Sequence, residues 1–102
     1  MLNKLFKGSL MARLLDVFLD RYNETPKPEY SREALSEVAE THYVSTSICI
    51  QQLEKAGILK VSCRVGRKKF YCLNYDDPIV QSFIVIHNEL KARGLPDDEQ
   101  NL

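Results

Sequence analysis

The feature that most constrains this chain is a change in hydrophobic period at Gly57. Up to Gly57 the apolar residues recur every three to four positions, as on one face of a helix, and from Ile58 they alternate, as in a strand. Helical spacing returns after Asp77. Because 102 residues suffice for only one core, these segments must pack together. The sequence therefore predicts a mostly helical α+β domain that contains one β-hairpin.

Three helical segments precede the change of period. The first covers about residues 9–22 and is followed by a proline-containing loop over residues 23–30. Ser31 is the predicted N-cap of the second, whose apolar face is expected to hold Leu35, Val38 and Ala39. The third covers about residues 42–56 and ends at Gly57. Its predicted core-facing residues are Thr46, Cys49 or Ile50, and Leu53.

Two alternating runs flank the loop predicted at residues 66–68 and form the hairpin. A three-residue loop here would pair Val65 with Lys69, Cys63 with Tyr71 and Val61 with Leu73. This register places the apolar residues of both strands on one face, whereas a slip of one residue would not. The same register sends Cys63 and Cys72 to opposite faces of the hairpin.

The last helix is predicted from its first residues. Asp77 is a suitable N-cap, and Pro78 occupies the first helical position, where proline is tolerated. We expect this helix to cover about residues 77–93 and to end at Gly94 and Pro96. The predicted domain is therefore 1–94, including this C-terminal dimerisation helix, and 95–102 is a short acidic tail.

The gapless segment from Leu35 to Leu59 resembles small winged helix-turn-helix transcriptional regulators of the ArsR or MarR type, from prokaryotes, archaea or archaeal viruses. The similarity is strongest in LEKAGIL, which ends at Leu59, and in GRKKFYCLN, residues 66–74. It extends over roughly residues 9–90 and departs from the pattern at Glu40, where glycine is usual, and at Thr41 and Thr46, where aliphatic residues are usual. The resemblance implies three helices, a two-stranded hairpin called the wing, and a long C-terminal helix.

The resemblance also implies a cytoplasmic, homodimeric regulator that binds double-stranded DNA. The formal net charge is zero, with 14 basic and 14 acidic residues, which by itself argues against a nucleic-acid partner. The charges are segregated, however, because no acidic residue lies between Ile58 and Tyr75. We expect the wing to contact phosphates or a minor groove through Arg64, Arg67, Lys68 and Lys69.

The predicted recognition helix has an outward face with few charges. The residues expected to contact DNA from this helix are His42, Tyr43, Val44, Ser47, Ile48 and Gln51. Glutamine can read adenine, and valine or isoleucine can contact a thymine methyl group. An alternative interpretation is a winged-helix module that binds protein, through the acidic second helix and the exposed pair Val44 and Ile48.

The first and last helices carry more apolar residues than one core requires. We expect the excess to form a homodimer interface that includes Leu10, Leu14, Ile79, Phe83, Ile86 and Leu90. Two recognition helices would then occupy successive major grooves of a roughly palindromic site.

The other function classes find little support in the sequence. The three cysteines lack a Cys-x-x-Cys pair, and we expect them to be reduced and structural. His42 and His87 are too isolated for a metal site, and an enzyme with Cys49 or Cys63 as nucleophile lacks a visible activating base. We therefore predict no catalytic residues, no metal, no cofactor and no small-molecule effector. The longest apolar stretch is too short for a membrane span, and the N-terminus lacks a signal-peptide pattern, so an intracellular location is expected.

Overall fold

The computed structural model describes residues 9–22 and 27–94, which form four helices and one two-stranded antiparallel sheet. The elements follow one another in the predicted order. Their bounds are α1 Leu10–Tyr22, α2 Arg32–Val38, α3 Tyr43–Lys55, β1 Leu59–Val65, β2 Lys68–Leu73 and α4 Pro78–Ala92. The acidic tail that was predicted for residues 95–102 lies outside the described residues.

Three of the helices begin at the predicted side-chain caps. The hydroxyls of Ser9 and Ser31 each accept a hydrogen bond from the backbone N–H three residues later, at 3.1 and 3.2 Å. The carboxylate of Asp77 accepts from the N–H of Ile79 at 2.8 Å. The start of α3 differs, because His42 occupies the N-cap position without a side-chain hydrogen bond.

The core lies where α1, α2 and α3 meet the base of the hairpin. Both alternatives for the inner face of α3 are correct, since Cys49 and Ile50 are both buried. The prediction for Val38 was wrong, because its side chain is 55% exposed. In α2 the buried stripe passes through Leu35 and Ala39, and a rotation of 100° per residue carries Val38 away from that stripe.

The turn between α2 and α3 contains a residue in the left-handed region. Glu40 has a φ of 55°, at the position where similar regulators usually carry glycine. The guanidinium of Arg13 donates hydrogen bonds to the carbonyl oxygens of Ala39 and Glu40 and so ties this turn to α1. A side chain from α1 thus holds the turn in a conformation that glutamate rarely adopts.

The hairpin was predicted correctly, but its register was wrong. The turn has two residues, with Gly66 at a φ of 62°, so that Val65 pairs with Lys68 instead of Lys69. Glycine suits the first central position of a tight turn with positive φ, which permits a shorter loop than expected. A β-bulge between Val61 and Cys63 then shifts the ladder, and below it Leu59 pairs with Leu73. The bulge lets the base of the hairpin keep its apolar residues towards the core.

The bulge also changes which side chains share a face. Cys63 pairs with Phe70, and Phe70 and Cys72 are two positions apart on β2, so both cysteines lie on the same face. Their predicted placement on opposite faces was therefore wrong. Cys72 is buried, and burial raises the pKa of its thiol, whereas Cys63 is exposed.

The segment before α2 pairs with the hairpin, which the sequence did not predict. Tyr30 forms an antiparallel bridge to Tyr71, with N–H···O distances of 2.9 and 2.8 Å. The ring of Tyr30 also packs edge-on against Phe18 of α1, with centroids 5.2 Å apart. The base of the hairpin is thereby fixed to the rest of the core.

Helix α4 packs beside α1 through a small number of buried side chains. Val80 and His87 are fully buried, and Phe83 and Ile84 pack against the core from partly buried positions. The imidazole of His87 lies between two carboxylates of α1, with Nε2 3.2 Å from Oδ1 of Asp20 and Nδ1 3.8 Å from Oδ1 of Asp16. This contact leaves a large part of the apolar surface of α4 uncovered.

Candidate functional site

A cleft of about 380 Å³ separates the tip of the hairpin from the first residues of α2 and α3. We call it the wing cleft. It is lined by Arg32, Glu33, Tyr43, Arg67, Lys68, Lys69 and Tyr71. The structure thus brings together four of the residues predicted to contact DNA, three from the wing and Tyr43 from α3. Arg64 is exposed and pairs with Lys69 across the hairpin, but does not line the cleft.

Arg32 belongs to the wing cleft although the sequence analysis did not identify it. Its Nε and Nη2 donate hydrogen bonds to the hydroxyl oxygen of Tyr71, at 3.2 and 3.0 Å. The guanidinium carbon lies 5.6 Å from the centroid of the same ring. Burial would lower the pKa of Arg32, but the contacts with Tyr71 and Tyr43 outweigh it and raise the pKa. Arg32 and the wing are distant in sequence, and only the fold brings them together.

The wing cleft has an excess of positive charge. Four of its side chains are cationic, and one, Glu33, is a carboxylate. Within residues 9–22 and 27–94, no carboxylate lies within 4.0 Å of these cationic groups. Their charge is therefore available for an anionic ligand.

The exposed face of α3 adjoins this cleft at Tyr43. Val44 and Ile48 are 68% and 52% exposed, and Gln51 is exposed as well. Lys55, a further exposed residue, continues the same stripe because the spacing from Val44 is four, three and four residues. The sequence analysis missed Lys55, although this helical spacing was visible.

Two of the residues predicted to contact DNA from the recognition helix need comment. His42 is exposed and precedes the helix as its N-cap. The expectation that Ser47 points outward was wrong, because its hydroxyl oxygen is buried and has no hydrogen-bond partner among the described residues. Ser47 lies on the side of α3 between the exposed stripe and the core, so its short side chain is covered.

A second exposed surface lies on α4. Ile79, Phe83, Ile86 and Leu90 recur at intervals of four, three and four residues and form one apolar row, which we call the α4 stripe. Ile79 and Ile86 are 51% and 41% exposed, and the other two are half-buried. These are four of the six residues predicted for a dimer interface.

The other two predicted interface residues lie on α1. Leu10 is half-buried and retains some exposed surface. Leu14 was placed wrongly, because it is fully buried among the core residues of its own domain. The broad apolar face of α1 serves the core, which did not leave Leu14 for a partner.

Two further structural searches concern the described residues only. No group of three or more His, Cys, Asp or Glu side chains there is arranged to hold a metal ion. None of the helices that the structure describes combines the length and the apolar character needed to cross a membrane.

Comparison with known proteins identifies the fold. No family model matches the chain, and no curated protein is significantly similar in sequence. One similar solved structure is the homodimeric winged helix-turn-helix DNA-binding domain of a possible ArsR-family transcriptional regulator from Mycobacterium bovis. Its TM-score is 0.62 at 15% identity, over 99% of this chain and 84% of that one. A crystal structure of a possible transcriptional regulatory protein from the same organism gives 0.59 at 15% identity, over 89% and 87%.

These similarities confirm the predicted architecture. The chain has a winged helix-turn-helix fold, in which α2 and α3 form the helix-turn-helix and β1 and β2 form the wing. At 15% identity the likeness concerns the fold. The function rests on the surfaces of this chain.

Proposed function

We propose that this chain is a DNA-binding transcriptional regulator that acts as a homodimer. The observation that carries the proposal is the wing cleft, which places uncompensated positive charge beside the exposed face of α3. Backbone phosphates are the sequence-independent part of a DNA site, and cationic side chains supply most of the affinity for them. The similar Mycobacterium bovis domain, which is described as DNA-binding and homodimeric, supports the same assignment.

In this proposal α3 is the recognition helix and lies in the major groove. Gln51 is placed to pair with an adenine edge, while Val44 and Ile48 contact thymine methyl groups. Lys55 lies on the same exposed stripe and adds a donor for guanine or for a phosphate. The wing lies on the adjacent backbone or minor groove through Arg64, Arg67, Lys68 and Lys69.

The homodimer forms through the α4 stripe. A row of apolar residues with alternating spacing of four and three is the pattern by which one helix packs along another. A second copy of the same row is complementary to it, as a two-fold interface requires. Two α3 helices about 34 Å apart would then reach successive major grooves of one site.

The test is binding of a fluorescent duplex of mixed sequence at low salt. Replacement of Arg67, Lys68 and Lys69 by alanine is expected to weaken binding by roughly 100-fold or more, because three phosphate contacts are lost. A control variant removes three exposed cations elsewhere, Lys60, Lys91 and Arg93. The proposal is wrong if the wild-type chain binds no duplex, or if both triple variants bind as well as it does.

A second candidate function is a protein-binding winged-helix module. It is favoured by the exposure of Val44 and Ile48, which form an apolar pair on α3. Phosphate contacts lose affinity steeply with salt, whereas apolar contacts do not. A complex that resists salt and depends on Val44 and Ile48, but not on the wing cations, would favour this second function.

A further inference from the structure

We propose that the wing cleft holds one phosphodiester group of the DNA backbone, with Arg32 as its main donor and with Lys69 and Arg67 beside it. The inference rests on the proposed function and extends it to a residue of α2. It assigns to Arg32 the task of fixing how the wing and α3 are placed on the duplex. Phosphate contacts carry no sequence information, but they set the register of a protein on DNA.

The first argument is the way in which Arg32 is held. A guanidinium has five N–H donors, and Arg32 directs two of its nitrogens to the hydroxyl oxygen of Tyr71. Tyr71 is fully buried, so its ring and hydroxyl are fixed by the core. The guanidinium is thus oriented before any ligand arrives and retains donors for a planar, two-oxygen partner such as a phosphate.

The second argument is the origin of the cleft walls. They come from three parts of the chain, namely the start of α2, the start of α3 and the tip of the wing. An anion in the cleft would contact all three and would neutralise the repulsion among their cations. Because Tyr43 lies at the edge shared with the exposed face of α3, an anion there is part of the same surface as the major-groove residues.

The third argument is the position of Glu33. It is the one carboxylate that lines the cleft, and it is exposed. A carboxylate next to a bound phosphate repels it, so Glu33 limits the affinity of the cleft for anions. Glu33→Gln is therefore expected to strengthen DNA binding, in the opposite direction to the loss of Arg32.

The test measures DNA affinity against salt for four chains. A fluorescent duplex of about two helical turns is titrated between about 50 and 200 mM salt with the wild type, Arg32→Ala, Arg32→Lys and Lys60→Ala. Lys60 is the matched control because it is an exposed cation of the same hairpin, paired with Cys72 on the face turned away from the cleft. Folding of each variant is verified by its thermal unfolding transition.

Arg32→Ala is expected to bind about tenfold more weakly and to reduce the magnitude of the salt slope by about 0.9. The loss should be the same for duplexes of different sequence. Arg32→Lys keeps the charge and should retain the wild-type slope with a smaller loss of affinity, which a merely structural role of Arg32 would not produce. Lys60→Ala should change affinity less than twofold, and Glu33→Gln should raise affinity about threefold.

The outcomes separate the inference from the proposed function. If the wild type binds DNA and Arg32→Ala has the same affinity and slope, the cleft does not hold a phosphate, and the proposed function stands. The same conclusion follows if Lys60→Ala loses as much affinity as Arg32→Ala. If the wild type binds inorganic phosphate at Arg32, seen as a shift of its Nε–H resonance, but binds no DNA, both proposals are overturned in favour of a free-anion site.

Discussion

The wing cleft and the α4 stripe are two exposed surfaces that differ in almost every physical respect. Four cationic side chains line the cleft, and within the described residues no carboxylate pairs with them. The α4 stripe has four apolar side chains in a row and no charged residue among them. The first surface is suited to a charged ligand, and the second to a copy of itself.

The difference teaches that a chain with no net charge can still have a strongly cationic surface. Association through charge is screened by salt, whereas association through apolar area is not, and sulfate-type salts even strengthen it. The two surfaces should therefore respond differently to the same change of solvent. Predictions that separate the two responses test the comparison directly.

The largest expected effect is that of salt on DNA binding. If each protomer of a dimer places four cations on phosphates, raising the salt from about 50 to 200 mM should weaken binding roughly 10⁴-fold, because condensed counterions are no longer released favourably. Dimerisation measured by sedimentation under the same conditions should change less than about twofold. The comparison fails if both equilibria follow salt with the same slope.

The next effect is the loss of the dimer. Ile86→Glu is expected to weaken dimerisation by about 100-fold or more, because a two-fold interface would bury two unpaired carboxylates. Val85→Glu is the matched control, since Val85 is 65% exposed and lies on a different side of α4. Sedimentation equilibrium distinguishes the two variants. Equal dimerisation of both would show that the α4 stripe is not the interface.

A smaller effect concerns the contact that anchors α4 on α1. The hydrogen bond from His87 lowers the pKa of Asp20 below its ordinary 3.8, against the opposing effect of burial. A lowered carboxylate pKa stabilises the fold above pH 3.8, and this stabilisation is lost as the pH falls through the lowered value. Asp20→Asn should therefore cost less than about 1 kcal/mol near neutral pH, since the carboxylate is largely solvated, and nothing in strong acid.

Urea unfolding at several pH values measures this contribution. Asp76→Asn, which alters an exposed residue of the loop before α4, is the control and should leave stability unchanged. The salt slope of DNA binding should be the same for Asp20→Asn as for the wild type, because Asp20 is remote from the wing cleft. A change of slope would show that the two surfaces are not independent.

The smallest effect concerns the turn that positions α3 beside the wing cleft. Glu40→Gly should stabilise the fold by up to about 1 kcal/mol, because glycine adopts a positive φ without strain. Glu37→Gly, in the helix just before it, should destabilise the fold by about 1 kcal/mol. Chemical denaturation measures both variants. Destabilisation by Glu40→Gly would mean that the glutamate side chain contributes more than its backbone conformation costs.

The fold was accessible from sequence wherever a local rule decided it. Ser9, Ser31 and Asp77 are caps because their side chains bond to nearby backbone groups, and such contacts depend only on neighbouring residues. The hairpin register failed because two local choices, a shorter turn at Gly66 and a bulge near Ser62, together preserve the apolar face. Alternation alone does not distinguish this combination from a regular ladder with a longer loop.

The candidate site divides in the same way. The wing cations are consecutive in the sequence, and their charge is visible there. Arg32 is separated from them by α3 and β1, and its role depends on Tyr71, which only the folded chain brings close. Leu14 was misplaced for a related reason, since the sequence shows that a residue is apolar but not whether its own domain or a partner covers it.

The bridge between Tyr30 and Tyr71 has a consequence for the order in which the molecule opens. It joins residues that are far apart in sequence, through two hydrogen bonds of 2.9 and 2.8 Å at the base of the hairpin. The amide protons of both residues should exchange with solvent only when the whole domain unfolds, whereas those near Gly66 should exchange by local fraying. Since Tyr71 also holds Arg32, the guanidinium should stay in position while the tip of the hairpin opens and closes.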